Sequence, residues 1–101
     1  MRRGTTPTIR LTIDDDLADW TMYLSFNNGG TVTTFEDDRL TKSLNGNQTI
    51  VEVTLTQEET LAFATGSVET QIRAIKNGVA VATDIQQLPV NRIIKDGVIN
   101  G

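Results

Sequence analysis

The chain has no cysteine, no histidine and only two prolines, Pro7 and Pro89. Without cysteine there is no disulfide framework and no thiolate metal site, a composition suited to a reducing compartment. Without histidine the commonest general acid–base and the commonest transition-metal ligand are both missing. Aromatic residues are scarce: Trp20, Tyr23, Phe26, Phe35 and Phe63. Apolar residues make up 38% of the 101, below the usual globular share, which fits a thin two-layer body better than a thick enzyme core. No apolar run approaches the ~18 residues of a membrane-spanning helix. The opening lacks the basic-then-apolar pattern of a secretory signal, so the expected location is the cytoplasm until assembly. The formal charge is −4 and no basic stripe interrupts it, which disfavours binding to nucleic acid phosphates. Arg2 and Arg3 form a small basic tip, expected to be a frayed, solubilising end.

What is present is strand pattern. Val68 to Lys76 and Val79 to Ile85 flank Asn77-Gly78, the strongest short-range signal for a two-residue hairpin with a type I′ turn. On the first arm Val68, Ile72 and Ala74 share one face, and Glu69, Gln71 and Arg73 the other, so one face is buried and one is wet. Residues 1–7 read as an extended lead-in. Thr8–Ile13 alternates, with Ile9, Leu11 and Ile13 inward. After the Asp14-Asp15-Asp16 turn, Trp20–Phe26 is a strand with Trp20, Met22, Leu24 and Phe26 inward, and Trp20 is the expected core anchor. Asn27 to Gly30 turns the chain and Thr31–Phe35 returns. Glu36-Asp37-Asp38 makes a polar corner, Leu40–Leu44 a short edge strand, Asn45-Gly46-Asn47 another turn, and Thr49–Leu55 a strand with Val51, Val53 and Leu55 on one face.

The period then changes. Thr56-Gln57-Glu58-Glu59 matches a capping box, so one or two helical turns are expected before Gly66. Hairpin arms over 67–76 and 79–88 follow, and Pro89 ends the second arm's ladder or places it at an edge. About seven short strands with turn signals every 8–12 residues predict a single all-β domain over 1–101, an immunoglobulin-like antiparallel sandwich. No cysteine pair bridges the sheets, so apolar contact must hold them.

Catalytic equipment is hard to assemble from these residues. A calcium loop begun at Asp14 has Ala18 at position five and Asp19 at position six, where an EF-hand needs an acid or amide and then glycine. Glu36-Asp37-Asp38 fares no better, and both acidic runs read as solvated turn formers. With 13 acids in the chain, some carboxylate pair always lies at a glycosidase spacing, so that spacing carries no information without a cleft. Ser25, Ser43 and Ser67 have no histidine to activate them, and Lys42 and Ser43, as neighbours in a strand, point to opposite faces. Neither Gly29-Gly30 nor Asn45-Gly46-Asn47 has the lysine and following helix of a phosphate loop. The expectation is no catalytic residue, no metal ligand and no cofactor.

The C-terminal segment 90–101 is the feature that composition leaves open. Val90, Ile93, Ile94, Val98 and Ile99 place five large aliphatics beyond Pro89. Either the segment folds back as a clasp on its own sandwich, or it is buried against a neighbouring subunit. The open edges of a sandwich offer a second route to such a contact.

The segment Val51–Thr60 (VEVTLTQEET), a gap to Gly66, and then Val68 and Gln71-Ile72-Arg73 resemble a pattern of tailed phages and prophages of Gram-positive bacteria. The segment is similar to the immunoglobulin-like N-terminal domain of phage baseplate upper proteins and to short prophage structural proteins. Thr5-Thr6-Pro7 with Ile9, and Ile94 to Ile99 (IKDGVI), are similar to the latter. The resemblance implies a non-enzymatic tail or baseplate component, assembled in the bacterial cytoplasm and resident in the virion. Its partners would be further copies of itself and other virion proteins, with no nucleic acid and no membrane. It carries over no functional residues, because such proteins act through surfaces. The alternative is a small module that binds a host-surface or carbohydrate ligand through its loops, with Tyr23 or the acidic corners in contact. A small enzyme is a third, weaker reading.

Overall fold

A computed structural model describes all residues, 1–101. Eight strands form two antiparallel sheets: β1 (Thr8–Ile13), β2 (Thr21–Asn28), β3 (Thr31–Phe35), β4 (Thr41–Asn45), β5 (Gln48–Thr54), β6 (Gly66–Lys76), β7 (Val79–Ala82) and β8 (Gln86–Val90). A 3-10 turn over Asp37–Arg39 links β3 to β4, and the single-turn helix α1 (Gln57–Leu61) links β5 to β6. One sheet has the order β1-β5-β4. The other runs β3-β2-β6, and the far edge of β6 is shared by β7 and β8 end to end. With β1 read as strand B, these are the B-E-D and C′-C-F-G sheets of the immunoglobulin sandwich.

The two inner faces make the core. Met22, Leu24 and Phe26 of β2 and Val68, Ile72 and Ala74 of β6 meet Leu11, Val51 and Val53 of the smaller sheet. Phe26 is fully buried; Phe35 meets it edge-on at 5.5 Å and Phe63 tilts against it at 5.8 Å, the geometry that opposed ring quadrupoles favour. Leu55, Phe63, Leu17, Leu40 and Val90 close the ends. No buried side-chain nitrogen or oxygen lacks a hydrogen-bond partner.

Most strands fall where alternation places them, and β1 and β3 match to the residue. The departures have physical causes. Trp20 lies just before β2 and is half-buried against the rim of the core, so Phe26 is the central aromatic. Its amide donates to the Leu17 carbonyl, which spends that residue on a turn rather than on the strand. Ile9 and Ile13 lie at the edge of the smaller sheet and are only half-buried. The second hairpin arm splits in two, giving eight strands instead of seven. At the break, Thr83 donates its amide to the Ile72 carbonyl and accepts the Ile72 amide on its hydroxyl, at 2.9 and 3.1 Å. A side chain thereby replaces one rung of the ladder, and the backbone turns away for Asp84 and Ile85. Pro89 sits within edge strand β8.

Residues 1–7 are neither a plain extended arm nor a frayed end. The Met1 ammonium donates to the Pro89 carbonyl, Asn91 donates to Met1 and Arg3 donates back to Asn91, a short parallel pairing beyond β8. Arg3 then turns inward. Its guanidinium donates to the carbonyls of Phe63 and Leu61 at 2.7 and 2.8 Å, the second an orphan acceptor at the end of α1 and the first just beyond its cap.

Candidate interaction surface

Several of the polar side chains near the loops are occupied in holding those loops together. Lys42 projects to the inner side, half-buried, and donates to Asp37 at 2.5 Å and to the Trp20 carbonyl at 2.6 Å. Asp37 also accepts the Met22 amide. Partial burial pushes the Asp37 carboxyl up, but the Lys42 and Met22 hydrogen bonds and the Lys42 charge together hold it below the usual carboxylate range. Arg39 grips Glu59 with both nitrogens, at 2.9 and 2.5 Å, and lies 5.0 Å over the Phe35 ring. Glu59 completes the capping box with Thr56. The hydrogen bond from Arg39 foremost holds the Glu59 carboxyl below its ordinary range, against the opposing effect of burial. At the first acidic corner, Asp15 gives its carbonyl to Thr49 and its carboxylate to the Asp16 amide. No group of three or more acid side chains is arranged to hold a metal ion. Ser25 shares a hydrogen bond with Thr34 across two strands.

The surface with chemical character is apolar. Ten large hydrophobic side chains are exposed, and seven of them belong to two parts of the molecule: Tyr23, Ile75, Val79 and Val81 at the β6–β7 hairpin, and Ile94, Val98 and Ile99 along the tail. The hairpin group follows from strand length. β6 has eleven residues against six in β1 and seven in β5, so at ~3.3 Å per residue it outruns the opposite sheet. Val81 pairs with Ala74 and Val79 with Lys76, so both project toward the core face. They nevertheless remain 40% and 57% exposed. On the other face Tyr23, Arg73, Ile75 and Ala80 line a shallow depression. The hairpin is therefore apolar on both faces and open along one edge.

The five aliphatics singled out in the tail do not stay together. Val90 is 2% exposed and belongs to the chain's own core, which removes it from any interface. Ile93 is half-buried beside Gly4. Ile94 is 94% exposed. Beyond it the chain doubles back to α1, where the Gln57 amide accepts from the Ile99 N–H at 2.9 Å and donates to its carbonyl at 3.0 Å. Ile99 and Val98 therefore have an anchored backbone and exposed side chains. The β7 residues were missed because Val79-Ala80-Val81-Ala82 alternates like any half-buried arm. The available signal was the absence of a single polar residue in an outer strand.

No protein-family model and no curated protein matches the chain.

Proposed function

We propose that this chain is a non-enzymatic structural component of a phage or prophage particle, in the tail or baseplate. It would work by self-association or by docking on neighbouring virion proteins. The resemblance of Val51–Arg73 and of the two termini to prophage structural proteins suggests the setting. The observation that carries the mechanism is the pair of exposed apolar groups, on the hairpin and on the tail, of a sandwich whose buried polar side chains all have hydrogen-bond partners. Contiguous exposed apolar surface on a small domain marks an interaction site, and an unpaired sheet edge beside it supplies directional hydrogen bonds.

Mass in solution tests this reading. Light scattering of the wild type is expected to show association that increases with concentration. Substituting Val79→Ser with Val81→Ser should reduce it, and Ile94→Ser with Ile99→Ser should weaken docking on the neighbouring virion proteins, with melting temperature changed little because these side chains are exposed. A strictly monomeric wild type that also fails to bind tail or baseplate proteins encoded beside its gene would defeat the proposal.

A further inference from the structure

We infer that the open edge of β7 pairs with β7 of a second copy, antiparallel about a two-fold axis at Val81, joining two five-stranded sheets into one. This rests on the assembly reading above and names its partner and contact.

Backbone direction fixes the register. The Thr83 amide bonds the Ile72 carbonyl of β6. Inward and outward backbone groups alternate along an antiparallel strand, so Val81 and Val79 also face β6. Ala80 and Ala82 direct their N–H and C=O groups away from the sheet. A two-fold at Val81 sets Ala80 opposite the partner's Ala82, and Ala82 opposite its Ala80. All four outward residues of the two copies are then used, giving four hydrogen bonds. Val81 meets its own mate in the close, non-hydrogen-bonded position, and Val79 meets Thr83.

The strand is its own complement in side chains as well. Toward the core face the seam stacks valine on valine, covering the side chains that the smaller sheet leaves open. On the other face only alanine methyls lie at the seam, so nothing obstructs approach. The only acid at the end of the strand, Asp84, meets the far end of the partner strand, next to the turn that follows Lys76. No like charges face one another across the seam. The remaining edges are guarded or polar. β8 carries Pro89 and is set off from β7 by the break at Thr83, β1 carries Arg10, β4 carries Lys42, Ser43 and Asn45, and β3 is threonine-rich. A four-residue seam buries less than the ~800 Å² per partner of a stable interface, so the pair should be weak and concentration-dependent when isolated.

Because the chain has no cysteine, one introduced thiol reports on the geometry. The Cα atoms of a non-hydrogen-bonded antiparallel pair lie about 4.5 Å apart, inside the range of about 4.4–6.8 Å that a disulfide spans. Val81→Cys should therefore air-oxidise to a covalent dimer at least ~10-fold faster than Ile94→Cys, whose side chain is far more exposed, because pairing raises the effective thiol concentration. Val32→Cys on β3 serves as a second control. Sedimentation of the wild type up to about 1 mM should show monomer and dimer only, and Val81→Lys should abolish the dimer. Oxidation of Val81→Cys no faster than the controls overturns the pairing. If the wild type still associates in that case, the assembly reading stands and another surface carries it. If the wild type stays monomeric, the pairing falls and self-association with it, and the proposed function then stands or falls on docking to a neighbouring virion protein. Species larger than dimers also overturn the two-fold and indicate open β3-to-β7 chains.

Discussion

Thr49 has no solvent exposure, yet its hydroxyl accepts the Leu17 amide at 2.8 Å and donates to the Asp15 carbonyl at 2.7 Å. One short side chain thus satisfies both backbone groups of the loop between β1 and β2. Thr49→Val keeps the shape and removes both bonds. It should cost about 1–3 kcal/mol in urea unfolding, the penalty of leaving buried groups unpaired. Ionisation acts at the same scale. The Glu59 and Asp37 carboxyls are held below their ordinary ranges, near 4.5 and 3.8. The stability they contribute is fully present above those values and is lost as pH falls through the depressed folded-state values. The urea midpoint should therefore fall on acidification below about pH 4.5, and Glu59→Gln should flatten part of that fall. An equally steep fall in the variant would assign the acid sensitivity to other carboxylates.

Among the elements, the β6–β7 hairpin depends most on local chemistry. Asn77 has φ 51° and Gly78 has φ 80°, the left-handed pair that a type I′ turn requires. Gly78→Ala meets no neighbouring atom within 4 Å, so its cost is conformational alone, about 1–2 kcal/mol. Calorimetry should show a lower melting temperature with β-structure retained. The turn, the capping box at Thr56 and Glu59, and the strands β1 and β3 were legible in the sequence because each is specified by residues within one or two turns of chain. The split of the second arm was not legible. It depends on Thr83 reaching Ile72 across the sheet, and a threonine in a strand-like run gives no local sign of that.

At the scale of the whole molecule, the two chain ends are one structural unit. Gly4 adopts φ +71°, and a Cβ there would stand 2.9 Å from the Ile93 Cδ1 and 3.3 Å from the Leu61 Cδ2. Gly4→Ala should therefore strain the backbone and push Ile93 off the body by the same stroke. The measurable result is faster proteolytic release of the segment after Arg92, together with a loss of stability of roughly 1–2 kcal/mol. Unchanged protease resistance would mean that the tail is held by Gln57 and Arg3 alone. Of the aliphatics marked as a possible interface in the sequence, Val90 joins the core and Ile94 stays in water. Their chemistry is nearly the same, and only the pairing of β8 with β6 distinguishes them.

The sequence by itself determined most of the strands, the turns and most of the inward faces, because a period of two and a positive φ are properties of a few neighbouring residues. It also determined that histidine and cysteine chemistry has no part here. Tertiary structure alone decided which apolar residues are covered. Whether Val81 or Val90 meets water depends on how far one sheet extends past the other, and on where Met1, Arg3 and Gln57 bring distant segments together. Burial is a property of the assembled layers, and no window of the chain contains it.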